Sequence, residues 1–581
     1  MQRKLLPIET VPAWAELNNV EFDGVKVSSL PAGKGSGVVA TAAHSEDGAI
    51  LMRVPQELVL SLGNVWMYAK SDQHLREVLE ATGEYARTAR GAILIFLLLQ
   101  VTSTSLLPVK IGASNPFTGY VQFLPSHIPL PTFWENAEIE MVKGTSLEGA
   151  LRSKLNSLNR EFDHLRDSTR SIKWCQQYWW DQQTGLLSLD DWKQVDAMYR
   201  SRALDLPGTG HAVVPCIDMA NHASGKGTVA RYDTDADGGG VLVLRDGKSV
   251  VVGDEVTITY GDDKGACEML FSYGFIEESM DSAQELFLDL DIPDDDPLKQ
   301  VKKTVAKSPP GVRLFRTGKS TGWEGPFAWL LCVNEEDGLK FGMLQTTDGG
   351  RELNVSWKGQ DLVDGLELEV LLKADPLWDV YNLRAITTVQ GRVESQLHSL
   401  VSAGEQMQVA GEQGPLSPRY LEVAMRLHDL EEELLLQAYE DFEHQPDEVT
   451  LGLATSGSGH KKCPPLGKKK GRLTNQNGCA ILPRRRPNEN MSDGHFGMGV
   501  ERRKAYPSYT SSKAQNAADS SIPSSLSITD IVTRNNRQSL PLFAITHSSR
   551  SADLDDYPTQ LATFAKPSST EKHLQEDLSL P

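Results

Sequence analysis

Two short stretches of the chain carry side chains that are suited to binding a polar ligand. In the first, residues 214–222, an apolar run ends in Asn221 and His222, which offer an amide, an imidazole and main-chain groups. In the second, residues 253–261, a strand-like pattern ends in Tyr260, and Tyr273 follows thirteen residues later. Asn-His pairs also occur in turns, and strand tyrosines commonly pack half-buried with a bonded hydroxyl. Taken singly, the two stretches therefore leave a structural and a functional interpretation open.

Other motifs argue against common ligand classes. Gly35, Ser36 and Gly37 form a short Gly-x-Gly segment, but the third glycine of a dinucleotide-binding fingerprint is missing and no βαβ unit follows. The segment 233–238 resembles the start of a calcium-binding loop, yet Leu244 stands where the bidentate glutamate belongs, so we interpret it as a polar hairpin loop. The six cysteines form no Cys-x-x-Cys pair, and we predict no metal site.

Hydrophobic periodicity divides the chain into four regions. Residues 15–65 and 205–280 read as short strands, and 70–203 reads as helical. Residues 284–445 end in a long amphipathic helix that begins at Ser417-Pro418. The pattern leaves two architectures open, namely two small β domains or one β domain interrupted by a helical insertion. The predicted strands are 22–27, 37–40, 49–55, 241–244, 250–252 and 256–260, with a hairpin turn at 246–247, and the predicted helices of the insertion are 92–101, 146–165 and one starting at Ser188.

Charge separates a folded body from a tail. The 581 residues suffice for two to four folding units, and the net charge of −20 argues against direct nucleic-acid binding. From residue 446 onward there are 18 basic and 13 acidic residues, a net of +5, which leaves 40 − 65 = −25 on residues 1–445. The tail is rich in Ser, Pro, Asn and Lys, so we predict that 446–581 is disordered. Its basic clusters, such as 468–470, are either a nuclear import signal or solvated linker charge.

The same composition bears on location. The N terminus leads into no apolar signal segment, and the most apolar run, 92–99, is far shorter than the roughly 20 residues that span a bilayer. The few scattered cysteines do not suggest a disulfide scaffold. We therefore expect a cytoplasmic and/or nuclear protein without a membrane partner.

Taken together and in order, these motifs resemble SET-domain methyltransferases of the Rubisco large-subunit methyltransferase-like branch. The likeness runs from about 15 to 445, and the fixed order of individually weak motifs makes it specific. It implies an α+β protein with a SET-type β fold of short strands at 15–283, interrupted by a helical insertion at about 70–203. A mainly helical substrate-binding domain at 284–445 and the disordered tail would follow. The matching residues are GSGVVA at 35–40, GYVQFLP at 119–125, Trp134, Ser201-Arg202, DMANH at 218–222, GDE at 253–255, YG at 260–261, Glu268 and YGF at 273–275.

The resemblance also implies a function. It points to S-adenosylmethionine as methyl donor and to a lysine of a non-histone protein, most simply a ribosomal protein, as acceptor. In these terms Tyr260 is the active-site tyrosine and contacts the cofactor, and Tyr273 lines the lysine channel with Phe275 close by. The implied cofactor-binding residues are Gly35, Ser36, Gly37, Arg202, Asp218, Asn221 and His222.

Two departures and two alternatives accompany this interpretation. Many members of the branch carry an asparagine where this chain has Ala266, and a glycine, Gly119, replaces their proline in the insertion motif. A relative that methylates histidine is one alternative, which Tyr273 disfavours. A catalytically silent SET module that binds a partner is the other, which Asn221, His222 and Tyr260 disfavour. We expect a monomer whose acidic body attracts a basic segment around the target lysine.

Overall fold

The structure is a computed structural model. It describes residues 1–31, 35–106, 109–183, 185, 187–262, 264–292, 296, 298–345, 351–363, 365–411 and 417–456, and at 344–345, 351–352, 406–411 and 444–456 it describes the backbone alone. The described residues up to Leu451 fall in one compact unit, and a second unit, Gly452–Arg534, is described only at 452–456. Of the predicted disordered tail, 446–581, residues 446–456 are helical rather than disordered, and residues 457–581 lie outside the described residues.

The helices concentrate in the predicted insertion and in the C-terminal part of the described chain. No helix in the described ranges is long and apolar enough to cross a membrane. The helices are α1 (Val11–Leu17), α2 (Leu62–Ser71), α3 (Gln73–Ala81), α4 (Ala89–Ser103), α5 (Pro116–Tyr120), α6 (Asn136–Glu140), α7 (Ser146–Thr169), α8 (Lys173–Cys175), α9 (Leu189–Arg200), α10 (Ala266–Tyr273), α11 (Lys299–Ala306), α12 (Pro326–Cys332), α13 (Gly365–Lys373), α14 (Trp378–Gly411) and α15 (Pro418–Ser456).

The strands are short, and their pairing is antiparallel. Within the described ranges the sheet orders are β1-β4-β8-β7, β2-β3-β9, β5-β6, β10-β11-β12 and β13-β14-β15. The strands are β1 (Glu21–Phe22), β2 (Val25–Ser29), β3 (Ser36–Ala40), β4 (Ile50–Val54), β5 (Leu204–Leu206), β6 (Gly210–Ala212), β7 (Ala230–Thr234), β8 (Gly240–Leu244), β9 (Glu255–Val256), β10 (Glu285–Asp289), β11 (Gly311–Thr317), β12 (Ser320–Glu324), β13 (Leu339–Gln345), β14 (Arg351–Trp357) and β15 (Gln360–Asp361).

Strands from both sides of the insertion pair with each other. β4 precedes the insertion and β8 follows it, yet the two are neighbours, with Arg53 opposite Val241 and Val54 opposite Gly240. β3 pairs in the same way with β9, where Val38 faces Val256. This pairing decides between the two architectures that periodicity left open, and it confirms one β domain interrupted by helices.

One predicted hairpin is wrong. Residues 250–252 do not pair with β8, because β4 and β7 already occupy both of its edges and all five of its residues are buried. Val250 instead forms a bridge with His44, and Val251 and Val252 are exposed. The β-branched run and the Asp-Gly turn were compatible with a local hairpin, but longer-range pairing prevailed. The turn after β7, in contrast, is the predicted hairpin loop, since β7 and β8 are antiparallel neighbours.

The insertion folds as its periodicity predicts. α4 is buried on all sides, which matches its nearly continuous apolar sequence. α9 begins with a capping box in which the Ser188 hydroxyl accepts the Asp191 N–H and the Asp191 carboxylate accepts the Ser188 N–H. α7 spans 24 residues and buries Leu147, Leu151, Leu158 and Leu165 on one face.

Two apolar cores organise the described chain. The first contains the N-terminal strands, most of the insertion and the strands up to Ile258. The second contains α10 and the C-terminal region, and it also takes in Trp134 and the start of α7. The C-terminal region ends in the predicted long helix, α15, and its first part adds two three-stranded sheets that the sequence patterns did not locate. α10 connects the two cores, and it ends at the predicted site residue Tyr273.

Candidate active site

Asn221 and His222 lie on a short parallel bridge against Ile258. The Ile258 N–H donates to the Asn221 carbonyl, and the Ala223 N–H donates to the Ile258 carbonyl, both at 3.0 Å. This pattern turns the main-chain N–H and C=O of His222 to the opposite side, where they have no partner among the described residues. The bridge therefore presents one donor and one acceptor to a ligand.

The Asn221 side chain joins this bridge to the glycine-containing strand β3. Its Nδ2 donates to the Ser36 carbonyl at 3.2 Å and to Glu255 Oε1 at 2.7 Å. Gly37 permits this approach, because a Cβ there would lie 2.6 Å from Leu30 Cδ1 and 3.0 Å from Asn221 Nδ2. Gly35 has a φ of +73°, which is accessible to glycine at little cost. Residues 32–34, just before this segment, lie outside the described residues.

The His222 imidazole is nearly fully buried and bonded at both nitrogens. Nδ1 accepts the Tyr260 main-chain N–H at 2.9 Å, and Nε2 contacts the Glu277 carboxylate. A nitrogen that accepts an N–H carries no proton, so the proton of a neutral ring sits on Nε2. Burial lowers the pKa of His222, although Glu277 opposes the shift. His222 therefore acts here as a fixed, neutral connector between Glu277 and the tyrosine backbone.

Tyr260 and Tyr273 form an aromatic pair beside His222. Their ring centroids lie 4.4 Å apart, and the Phe275 ring lies 6.5 Å from Tyr273 and 6.2 Å from His222. The Tyr260 hydroxyl donates to the Ala220 carbonyl at 3.0 Å. Burial raises the pKa values of both tyrosine hydroxyls well above the usual value. Both groups are therefore neutral phenols, and the rings form an apolar wall with hydroxyl tips.

A second polar cluster holds the loop that leads to Asn221. Tyr120 donates from its hydroxyl to the buried Asp218 carboxylate and accepts the Cys216 N–H at 3.0 Å. Arg202 Nη1 donates to the Asp218 carbonyl at 3.1 Å. Burial raises the pKa of Asp218, while Arg202 and Tyr120 partly offset that shift. Cys216 adopts a φ of +69°, which is unusual for a residue with a Cβ and marks a tight turn fixed by these bonds.

The arrangement fits the S-adenosylmethionine that the sequence resemblance implies. The His222 main-chain pair suits the edge of a nucleobase, which also presents a donor and an acceptor. The Nε atom of Arg202 is buried without a hydrogen-bond partner, so a ligand could satisfy a group that the described chain leaves unsatisfied.

The structure brings the predicted residues together in three linked groups. Asn221 contacts the Ser36 main chain, His222 contacts Tyr260, Tyr260 stacks near Tyr273, and Arg202 pairs with Asp218. Glu255, Glu277 and Tyr120 were not predicted as site residues, although Glu255 and Tyr120 lie inside the quoted motifs. Glu277 follows Phe275 by two residues, and only its position relative to His222 reveals a role. The roles assigned to these residues by resemblance stay predictions.

The departure at Ala266 lies at the start of α10, away from these bonds. Ala266 is fully buried in the second apolar core, and the N-cap of α10, Gly265, provides no side-chain hydrogen bond. Nearby, the Lys264 ammonium pairs with Glu268 and lies 5.8 Å from the centre of the Tyr273 ring. The alanine that replaces the usual asparagine at position 266 therefore leaves the Tyr260–Tyr273 pair in place.

Comparisons with known proteins show which proteins this chain is similar to. No family model matches the sequence. The chain is 26% identical over 375 residues to SET domain-containing protein 8 of Schizosaccharomyces pombe, covering 63% of this chain and 81% of that protein. The chloroplastic ribulose-1,5 bisphosphate carboxylase/oxygenase large subunit N-methyltransferase of Pisum sativum is 27% identical over 205 residues, which cover 32% of this chain and 39% of that enzyme.

A solved structure shows the same fold. The crystal structure of the SET domain of LSMT bound to methyllysine and AdoHcy superposes with a TM-score of 0.53 at 20% identity, covering 79% of this chain and 98% of that one. These similarities support a SET-domain methyltransferase of the Rubisco large-subunit methyltransferase-like branch, and the solved structure shows the fold. As in the sequence-based expectation, the chain has one β domain that a helical insertion interrupts.

Proposed function

We propose that the chain is an S-adenosylmethionine-dependent protein-lysine N-methyltransferase. The observation that carries this proposal is the aromatic pair of Tyr260 and Tyr273 beside the Asn221–His222 bridge. The two rings form a narrow apolar wall beside the main-chain donor and acceptor of His222. Such a wall suits a long side chain that ends in an amine. The Pisum sativum relative, an N-methyltransferase by name, supports the same reaction type.

The residues of this site supply alignment and desolvation rather than a strong base. When bound, S-adenosylmethionine supplies an activated methyl group on a positive sulfonium. The Tyr260 and Tyr273 rings disfavour the charged form of an entering lysine, whose pKa is about 10.4 in water, so that the neutral amine becomes accessible. The Tyr260 hydroxyl and the Ala220 carbonyl then present polar atoms that orient the amine. Proximity and preorganised dipoles are the main sources of rate acceleration in such a site.

We further propose a non-histone protein as substrate, with a ribosomal protein as the first candidate. The net charge of −25 on residues 1–445 attracts basic segments, in which ribosomal proteins are rich, and it disfavours direct contact with nucleic acid. The chloroplastic relative acts on the large subunit of an enzyme, which is also a non-histone protein. We propose that the chain works as a monomer in the cytoplasm, the nucleus or both.

Two measurements test this function. Calorimetry with S-adenosylmethionine should give a saturable heat, and an absence of binding would favour a silent module. Incubation with labelled cofactor and cell lysate, followed by mass spectrometry of the labelled band, should yield methyllysine in a basic segment. Methylhistidine in that band would refute the lysine assignment, and a labelled histone would refute the non-histone assignment. Transfer that slows as salt rises would support electrostatic attraction of the substrate.

A further inference from the structure

Glu277 lies directly behind the histidine of the site. Its Oε1 contacts His222 Nε2, and its Oε2 accepts the Ser224 hydroxyl at 2.7 Å and the Ser279 hydroxyl at 3.2 Å. The side chain is 12% exposed and the His222 side chain only 2%. These bonds fix both carboxylate oxygens, so that the carboxylate has a defined position against the imidazole.

The backbone of Glu277 is fixed from a distant part of the chain. Arg426, on α15, donates from Nη2 to the Glu277 carbonyl at 2.5 Å and to the Met280 carbonyl at 3.4 Å. The two residues are 149 positions apart, so the C-terminal helix determines where this loop lies. The position of Glu277 therefore does not depend on the local sequence alone.

A carboxylate at Nε2 determines which nitrogen of His222 carries the proton. An Nε2–H that donates to Glu277 leaves Nδ1 as an acceptor, and Nδ1 accepts the main-chain N–H of Tyr260. With the other tautomer, Nδ1–H and Tyr260 N–H would face each other as two donors, and the bond would be lost. Glu277 thus acts on the position of Tyr260 without touching the reacting atoms.

We propose that Glu277 is a positioning residue that holds His222 in its Nε2–H tautomer and thereby fixes Tyr260 beside the acceptor amine. The part about the acceptor amine rests on the proposed function, whereas the tautomer does not. The charged and titratable groups that act on His222 are Glu277, Asp262 and Lys264. The Tyr260 ring packs beside it, 5.1 Å between centroids.

The experiment compares the full-length wild-type chain with Glu277→Ala and Glu277→Gln. Glutamine keeps an oxygen that can accept from Nε2–H but carries no charge, whereas alanine removes the acceptor. We expect Glu277→Ala to lower kcat by at least about tenfold, as losing the outer partner of a functional histidine commonly does, with the cofactor KM within about threefold. We expect Glu277→Gln to restore kcat to within about threefold of wild type.

Two readouts separate positioning from a merely structural role. Long-range proton–nitrogen spectra of histidine-labelled protein, with His222 assigned by a His222→Asn variant, should show the Nε2–H tautomer in wild type and Glu277→Gln and a mixture in Glu277→Ala. In Glu277→Gln the acid limb of the kcat/KM profile should move to lower pH, because a negative charge that favours His222 protonation is gone. Asp281→Asn, which removes a carboxylate from the same loop without touching His222, is the matched control.

The outcomes distinguish the two proposals. An Nε2–H tautomer that survives in Glu277→Ala, or a Glu277→Gln variant as slow as Glu277→Ala, would overturn the positioning role. A wild-type chain with the expected tautomer but no methyl transfer to any protein would overturn the proposed function and leave the histidine–carboxylate pair standing.

Discussion

Two buried aspartates of this molecule have opposite electrostatic environments. Asp196, in the helical insertion, is fully buried, and burial would raise its pKa, but Lys154, Arg90 and Arg200 together lower it below the usual range. Asp218, behind the candidate active site, is also buried, yet its pKa is raised, because burial outweighs one arginine and one tyrosine hydroxyl. The surroundings of Asp196 thus favour the charged carboxylate, whereas those of Asp218 disfavour it.

The difference separates a structural network from a functional one. Asp196 lies on α9 and binds cations from α4, α7 and its own helix, at 2.6 Å from Arg90 and 2.8 Å from Lys154. Its cluster therefore ties three insertion helices together. The Asp218 cluster instead holds the loop before Asn221 and leaves the buried Arg202 Nε without a partner. Asp196 Oδ2 and Arg200 Nε also lack a hydrogen bond, but they pair as ions at 3.4 Å, so the two clusters differ in the number of cations around the carboxylate, three at Asp196 and one at Asp218.

The largest expected effect is on stability at the structural network. Asp196→Asn should destabilise the protein by about 3–5 kcal/mol, because it leaves three buried cations without their common anion. Urea denaturation at neutral pH measures this loss. Asp163→Asn, which breaks a largely exposed pair with Arg166, is the control and should cost about 1 kcal/mol or less. Equal losses of stability at Asp196 and Asp163 would show that the buried network contributes no more than an exposed ion pair.

The next largest effect is on activity at the functional site. Tyr260→Phe should lower kcat on the order of 100-fold, since it removes the hydroxyl that orients the amine, while cofactor affinity stays within a few-fold. A labelled-methyl assay and calorimetry measure the two quantities. Tyr68→Phe removes a comparable hydroxyl, bonded to the Glu57 carbonyl at 2.9 Å, and should leave the rate unchanged. Retained turnover in Tyr260→Phe would refute the assignment of Tyr260.

A smaller effect is expected from the same isosteric change at Asp218. Asp218→Asn should cost about 1 kcal/mol of stability, because the amide oxygen can still accept from Tyr120 and only one cation, Arg202, loses its ion pair. Denaturation side by side with Asp196→Asn makes the comparison direct. A cost at Asp218 as large as that at Asp196 would show that both clusters are structural.

The last expected effect is a change with pH in these two stability losses. The lowered pKa of Asp196 means that its contribution is complete above the unfolded value of about 3.9 and is lost as pH falls through the folded pKa. The raised pKa of Asp218 means that the folded state binds the proton more tightly, so wild-type stability falls as pH rises from about 3.9 through the folded value.

These signs give different trends for the two variants in denaturation between pH 7 and 4.5. The deficit of Asp218→Asn relative to wild type should grow as pH falls, by up to about 1.4 kcal/mol for each unit of pKa shift, because protonation relieves wild-type Asp218 of its buried charge. The deficit of Asp196→Asn should stay constant over this range. Parallel trends for the two variants would mean that the two carboxyls have similar environments.

Local patterns in the sequence were sufficient for many elements. The apolar run of α4, the one-sided leucines of α7 and the Ser188 cap are signals that lie within one helix, and each helix formed as predicted. The hairpin predicted at 250–252 did not form. A strand such as β8 has two edges, and the sequence alone does not determine which strands pair with them. The two C-terminal sheets were not predicted, although apolar Leu353, Val355 and Trp357 of β14 alternate with polar residues, and this local alternation does not determine which strand pairs with which.

The sequence by itself determined the elements of the insertion, the ordered set of motifs and therefore the resemblance of this chain to SET-domain methyltransferases. The tertiary structure alone decided that the strands before and after the insertion share sheets, since antiparallel pairing between β4 and β8 joins residues nearly 200 positions apart. It also decided that Glu277 contacts His222 and that Arg426 binds the Glu277 backbone. The burial that raises the pKa of Asp218 is likewise a property of the tertiary structure. Burial and contact between distant residues set these properties, and neither is encoded by spacing along the chain.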